Sequence, residues 1–445
     1  MNGRSRIGRI TVAVASVTLA SATTAVAQDI QAVTLEEAVD MARHVNPAII
    51  QAEGQLDNAG AGKLQAMGAW LPSLSLSSGY SAQPGRERLD PTTNTYVTPT
   101  SSSANGSVGA SLVIFNGFRR TAENRSASAE QASAQASLVN QEFQIALQTK
   151  QAFFNALAAD ELVRVSERRI QRGEEQLRIS RDKLAAGSAI RSDTLQFTVE
   201  LGNAKLQLLQ AETARATAEA NLARLIGADG SVRAARDSNL LRAVVLDTVQ
   251  LRMEAVAQAP SVIQADAAVK VAEASVAVAR AAYFPTISAS YSRSLSGSPV
   301  VLPNGSADTG NSWDWRSSWN ASLRLSWTLF NGFGREASVT RSATSRTTAQ
   351  AQADDARRAV QAELTQYLAS LASAEQSLSI AQASLAAADE GLRVQRERYG
   401  LGMATIVDVL TAQVSLDQAE VDIVRARFDY LVAKAQIEAL IGREL

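Results

Sequence analysis

Ser318-Trp319-Asn320-Ala321-Ser322-Leu323-Arg324-Leu325-Ser326-Trp327-Thr328-Leu329 alternates without a break. Trp319, Ala321, Leu323, Leu325, Trp327 and Leu329 fall on one parity, and small or polar residues fall on the other. A period of two predicts a β-strand. Three more segments share the pattern. In Ser73 to Ala82, Leu74, Leu76, Tyr80 and Ala82 alternate with serines. In Thr286 to Ser296, Ile287, Ala289, Tyr291 and Leu295 do so, and Gly106 to Phe115 carries Val108, Ala110, Leu112 and Ile114. Each is about ten residues, the length of a tilted strand that crosses a bilayer. A hydroxyl-rich face behind an apolar one suits a barrel with a wet lumen and a lipid-facing wall. Trp70, Phe115, Phe118, Tyr283, Phe284, Phe330 and Phe333 cluster at the segment ends, where an interfacial girdle belongs. Half-buried hairpins in a soluble domain would share the period, but not the serine-dense faces with aromatic ends. Four strands are too few to close a barrel, and an open sheet edge in lipid leaves backbone groups unpaired. The pattern therefore requires several copies of the chain.

The strands belong to an internal duplication. Asn46-Pro47 answers to Ala259-Pro260, and Ala69-Trp70-Leu71-Pro72 to Ala282-Tyr283-Phe284-Pro285. Phe115-Asn116-Gly117-Phe118 recurs as Phe330-Asn331-Gly332-Phe333, and Leu225-Ile226-Gly227 as Leu440-Ile441-Gly442. The layout is a first repeat over 28–227, a polar link over 228–246 and a second repeat over 247–445. Each repeat runs helix, β-hairpin, long helix, return helix. Stretches rich in Pro, Gly, Ser, Thr and Asn (Gln83 to Ser103, Gly297 to Asp314) read as exposed loops between paired strands.

Between the strands the chain is Ala-rich and helical. Arg119 to Leu184 holds no Pro and a single Gly, Gly173. Its counterpart from Gly334 to Tyr399 holds only Gly391 after its start. A helix of that length is roughly 100 Å long at 1.5 Å per residue. Turns at Gly187 and at Gly400 and Gly402 lead into return helices with seven-residue seams. These are Val407, Val414, Val421, Phe428 and Ala435 with Leu410, Val424 and Leu431, and Val199, Leu206 and Ala220 with Leu195, Leu209, Ala216 and Ala223. Such seams pack helix on helix.

Composition narrows the function. Arg4, Arg6 and Arg9, an apolar stretch from Ile10 and the close Ala25-Val26-Ala27 predict a signal peptide over 1–27. Without it Lys+Arg falls from 43 to 40 against 44 Asp+Glu, a net charge of about −4. There is no basic block for nucleic acid. With Cys 0, disulfides, thiolate metal sites and a catalytic thiol are excluded. The one His, His44, reads as a helix C-terminal cation. No phosphate loop or paired-carboxylate constellation suggests an enzyme, and no cofactor is expected.

From Arg398-Tyr399-Gly400-Leu401-Gly402-Met403-Ala404-Thr405 to Ile406-Val407-Asp408-Val409-Leu410-Thr411-Ala412-Gln413, and at both Phe-Asn-Gly junctions, the chain resembles the outer membrane factor family, the TolC-like channels. The resemblance runs over essentially the whole mature chain. It implies a mainly α fold with membrane β: a homotrimer whose 12-stranded outer-membrane β-barrel is continued by a long periplasmic α-helical barrel. It implies an export duct that carries small molecules or proteins out of a Gram-negative cell. Its partners would be a periplasmic adaptor (a membrane fusion protein) and an inner-membrane transporter of RND or ABC type. Gly187, Gly400 and Gly402 would mark the tips that meet the adaptor. Asp408 matches the constriction aspartate, Asp193 the latch acid and Tyr399 the latch tyrosine. Ala404 stands where the family has a latch arginine, Thr411 replaces a second constriction acid, and Arg191 is a candidate substitute cation. A ring of three Asp408 carboxylates in a three-fold pore would attract cations. Asp193 and Asp408 also sit where a helix N-terminus favours any acid. A periplasmic coiled-coil adaptor with no barrel of its own is the alternative reading.

Overall fold

The computed structural model describes residues 31–84, 87–89, 94–97, 100–236, 251–252, 255, 257–299 and 313–445. The expected signal peptide and residues 237–246 of the expected link lie outside them. In chain order the elements are β1 (Gln31–Val33), α1 (Leu35–Val45), α2 (Pro47–Gly68), β2 (Ser73–Pro84), β3 (Arg88–Leu89), β4 (Tyr96–Val97) and β5 (Thr100–Asn116). There follow α3 (Arg119–Ala185), α4 (Arg191–Ile226), β6 (Val232–Ala234), α5 (Pro260–Arg280), β7 (Thr286–Pro299), β8 (Trp313–Ser326), α6 (Gly334–Gly400) and α7 (Ile406–Ile441).

Two hairpins, one from each repeat, join into a four-stranded antiparallel sheet in the order β2-β5-β7-β8. The register puts apolar residues on one face, in cross-strand tiers such as Leu74-Ala110-Tyr291-Ala321. On the other face serine hydroxyls bond across the strands, Ser73 to Ser111, Ser77 to Ser107, Ser81 to Ser103, Ser290 to Ser322 and Ser294 to Ser318, at 2.7–2.8 Å. Both outer edges, β2 and β8, lack a strand neighbour among the described residues.

The Phe-Asn-Gly-Phe motif turns strand into helix in the same way twice. Gly117 (φ 67°) and Phe118 (φ 63°) are both left-handed, as are Gly332 (φ 65°) and Phe333 (φ 63°). Asn116 Oδ1 accepts the Arg120 N–H at 3.2 Å and starts α3. A left-handed Phe is costly, and ring contacts hold it: Phe118 meets Phe115 edge-on at 5.4 Å, and Phe333 meets Phe330 at 5.5 Å. An arginine two residues further on clamps the junction. Arg120 donates to the Ile114 carbonyl at 2.7 Å and stacks 4.5 Å from the Trp70 ring. Arg335 takes the Thr328 and Leu329 carbonyls at 2.9 and 2.8 Å and lies 5.0 Å from Tyr283. Strand β8 ends at Ser326 and not at Leu329 as the alternation predicts, because its neighbour β7 begins only at Thr286, after Pro285, which has no N–H to offer the ladder.

Helices α3 and α6, each of 67 residues, run away from the sheet. Near the sheet they pack with α2 and α5, and farther away with α4 and α7. The main core, at mid-length, gathers Val33, Ala38, Ile49, Phe153, Phe154, Leu222, Ile226, Val232 and Tyr430. Part of the expected link is thus structural: Val232–Ala234 pairs in parallel with Gln31–Val33, and Val232 is buried. The expected α7 seam is only half internal. Its buried stripe is Val409, Leu416, Ile423, Tyr430 and Ile437, while Val407 and Val414 are exposed. On α4 the expected Leu195, Val199, Leu206 and Leu209 are likewise exposed, and Phe197, Ala204, Leu222 and Ile226 face the chain's own core. Each return helix is apolar on two sides, and one side is left without an intrachain partner.

Candidate functional site at the helix tips

At the end far from the sheet the chain reverses twice. Gly187 (φ 72°) follows α3 and Gly402 (φ 76°) follows α6; a Cβ at either meets nothing within 4 Å. Backbone conformation alone calls for glycine there. Gly400 is the last residue of α6 and makes no turn of its own.

The two return helices begin differently. In α7, Thr405 and Asp408 form a capping box: Asp408 Oδ2 accepts the Thr405 N–H and hydroxyl at 2.8 Å, and Thr405 Oγ1 accepts the Asp408 N–H at 3.3 Å. The Thr405 N–H, foremost, holds the Asp408 carboxyl below its usual range. Asp408 is exposed and already serves as a helix cap. In α4 the equivalent N-cap is Ile190, which makes no side-chain cap. Asp193 instead accepts the Tyr399 hydroxyl at 3.3 Å, joining the start of α4 to the end of α6. Burial, with the Asp193 charge second, pushes the Tyr399 phenol up.

A cation completes this contact, and it is Lys183. Its ammonium sits 4.2 Å from the Tyr399 ring centroid and donates to the Tyr399 carbonyl. Phe197 meets the same ring edge-on at 6.4 Å, and Ser180 and Thr194 share a hydroxyl bond at 3.1 Å. Arg191 is exposed, and among the described residues its side chain makes no ion pair or hydrogen bond. Ala404 packs on the tip cluster of Leu177, Phe197, Leu392, Tyr399, Ile406, Val409 and Leu416; Thr411 is exposed.

About two turns above lies a charged brace that sequence reasoning passed over. Arg172 bridges Asp417 at 2.9 Å and Glu420 at 2.6 Å, and Arg169 bridges Asp417 at 2.9 Å and Glu200 at 2.5 Å. Gln413 donates to Asp417 at 2.8 Å and accepts from Arg396 at 3.1 Å. Burial, as the largest influence, pushes the Asp417 carboxyl up against the pull of the arginines. The available signal was a pair of like charges three apart, Arg169/Arg172 on one helix, facing Asp417/Glu420 on another. This brace ties α3 and α4 to α6 and α7 at the height where the tip contacts begin.

The junctions at the opposite end bring together most of the expected girdle. Trp70 and Tyr283 stack under their arginines, and Phe118 meets Phe284 at 6.0 Å. Phe330 and Phe333 form the equivalent pair in the second repeat and are exposed.

Known proteins agree with this architecture. The family model for outer membrane efflux proteins matches residues 38–228 and 251–443. The outer membrane efflux protein BepC of Brucella suis is 30% identical over 179 residues, which span 40% of this chain and 36% of that protein. Protein CyaE of Bordetella pertussis is 28% identical over 387 residues, 85% of this chain and 77% of its own length. The crystal structure of the outer membrane protein VceC from Vibrio cholerae superposes with a TM-score of 0.73 at 16% identity, covering 92% of this chain and 96% of that one. The chain therefore belongs to the outer membrane efflux protein family: it is an outer-membrane export channel whose helices extend into the periplasm.

Proposed function

We propose that three copies close edge to edge into a 12-stranded barrel continued by a periplasmic helical duct. A periplasmic adaptor and an inner-membrane transporter of RND or ABC type would deliver small molecules or proteins into that duct. The observation that carries this reading is the unpaired stock of the single chain. The sheet has two open edges, and both return helices carry exposed apolar stripes, Leu195, Val199, Leu206 and Leu209 on α4 and Val407 and Val414 on α7. An open sheet in lipid strands its backbone groups, which supports closure by further copies. The tips are the gate in this reading. Tyr399, Asp193 and Lys183 hold the α4 start against the α6 end, and Asp408 supplies carboxylates to the mouth.

The test is assembly. Outer-membrane fractions should yield a detergent-stable, heat-modifiable trimer. Val414→Asp and Val199→Asp should dissociate it while leaving the monomer helical by circular dichroism. Recovery of the wild-type chain as a monomer soluble without detergent overturns the proposal.

A further inference from the structure

The apolar face of the sheet contains one cation. Cross-strand pairing sets Arg293 in the tier Leu76-Val108-Arg293-Trp319, on the face that also carries Leu74, Tyr291, Leu323 and Leu325. Arg293 is exposed, and among the described residues no acid or hydrogen-bond acceptor partners it. It lies on β7, an inner strand, so edge-to-edge closure with further copies leaves this face turned to lipid.

Its depth is informative. Counting along β7 at about 3.3 Å per residue and a tilt near 40°, Arg293 stands roughly 15 Å outward of Ile287. It stands roughly 10 Å inward of the tier Tyr80-Ala104-Gly297-Trp315. That outer tier is aromatic: Trp313 stacks on Trp315 at 5.9 Å, Tyr80 meets Trp313 at 6.4 Å, and the Trp315 ring covers Gly297. It marks the interface away from the helices, hence the outer leaflet. Between it and Arg293 lies the tier Ser78-Gly106-Leu295-Ser317, where both neighbouring strands carry small residues beside Leu295. The neighbouring strands are low there, with room for a guanidinium to snorkel outward and the Ser317 hydroxyl beside its path. A lone arginine on a lipid-facing strand is destabilising in proportion to its depth, and an anion that comes with the lipid removes that penalty.

We propose that Arg293, with Ser317 and Trp319, forms a site on the outer wall of the barrel for the phosphate of an outer-leaflet glycolipid. A guanidinium matches a phosphate through paired N–H bonds. Ser317 offers a further donor, and the Trp319 ring flanks the sugar or the upper acyl chain. Lipopolysaccharide, the glycolipid of a Gram-negative outer leaflet, presents such phosphates at the head-group boundary. One site per subunit follows.

The test uses the full chain purified in non-ionic detergent and read by native mass spectrometry. Bisphosphorylated lipid A is the probe, with dephosphorylated lipid A and inorganic phosphate as separate arms. The wild type should retain lipid A through collisional activation. Arg293→Leu, a residue suited to a lipid-facing wall, should retain at least ten-fold less, and Arg293→Lys an intermediate amount. Dephosphorylated lipid A should bind like the Leu variant, and millimolar inorganic phosphate should not displace lipid A. Equal retention by wild type and Arg293→Leu overturns the proposal, as does equal binding of the dephosphorylated lipid. Displacement by inorganic phosphate would show a free-anion site and overturns it as well.

Discussion

Ile190 and Thr405 hold the same N-cap place in the two repeats, 215 residues apart, and the difference between them decides what the following aspartate does. Thr405 engages Asp408 in a capping box. Ile190 has no oxygen to offer, so Asp193 is released to bind Tyr399 across the tip. One duplicated acid has become a helix cap and its twin a bridge.

Restoring the hydroxyl should undo the bridge. In Ile190→Thr, Asp193 gains a local partner and loses Tyr399; Tyr399→Phe removes the same bond directly. A hydrogen bond to a carboxylate has a net worth of about 1.5 kcal/mol. Both variants are expected to raise the open-channel fraction by about ten-fold in planar bilayers, and the double variant no further. A larger effect for the double variant would separate the two residues.

Lys183 should matter for its charge. Lys183→Met keeps the stem and drops the ammonium, and is expected to raise conductance in the same direction as Tyr399→Phe. Lys183→Arg should hold the closed state, since a guanidinium also sits over a phenol ring. Single-channel recordings of the three proteins check this ordering.

Asp408 is expected to shape ion flow and acid response separately. Asp408→Asn should lower cation selectivity and weaken block by divalent ions in bilayers, since the proposed trimer would lose three carboxylates from its mouth. The pH effect follows from the depressed carboxyl, held down first by the Thr405 N–H. A carboxylate lowered in the folded state stabilises α7 above its unfolded pKa, and that stabilisation is lost as pH falls through the folded value. Amide exchange at 405–410, corrected for intrinsic rates, should therefore accelerate in acid for the wild type. In Thr405→Val it should be fast already at neutral pH.

Breaking the charged brace on one side should cost more than removing both partners. Arg172→Met leaves Glu420 with only the more distant Arg168 at 3.5 Å and Asp417 with Arg169 alone, a loss of about 3 kcal/mol for a largely buried network. Adding Asp417→Leu should recover part of it. The thermal midpoint of the assembled protein, read by gel mobility, tests the order: wild type highest, double variant between, single variant lowest.

The two junction glycines should respond unequally to alanine. Both are left-handed, so each variant meets backbone strain of about 1 kcal/mol. At Gly117 the new Cβ also meets Phe284 Cβ at 2.4 Å and the Ala281 carbonyl at 2.7 Å, whereas at Gly332 nothing lies within 4 Å. Gly117→Ala is expected to reduce yield of the assembled protein sharply and Gly332→Ala only slightly.

The strands were legible in Leu323, Leu325 and their alternating serines because a period of two has no competing explanation over twelve residues. Their ends were not, since β8 can pair only as far as Thr286 of β7 reaches, a limit set by the neighbouring strand. The long helices were plain from the near absence of Gly and Pro. Their packing was not: α7 is apolar on two faces, and periodicity cannot say that Val409 looks inward and Val407 outward. At the tips, the pairing of Tyr399 with Asp193 came from resemblance alone. Lys183 was invisible, one cation among many on α3, because its partner ring arrives from more than two hundred residues away.

The parallel pairing of Gln31–Val33 with Val232–Ala234 sets a schedule for maturation. As the polypeptide emerges into the periplasm, β1 finds its mate once residue 234 has arrived, in the link before the second repeat. Strand β5 must wait for β7, which belongs to the second. The edges β2 and β8 must wait for other molecules altogether. Closure thus proceeds in three rounds of increasing reach, and the bilayer-facing portion is the last to lose its unpaired amides. An unassembled subunit therefore still carries the unpaired edges of β2 and β8, however well formed its helices already are.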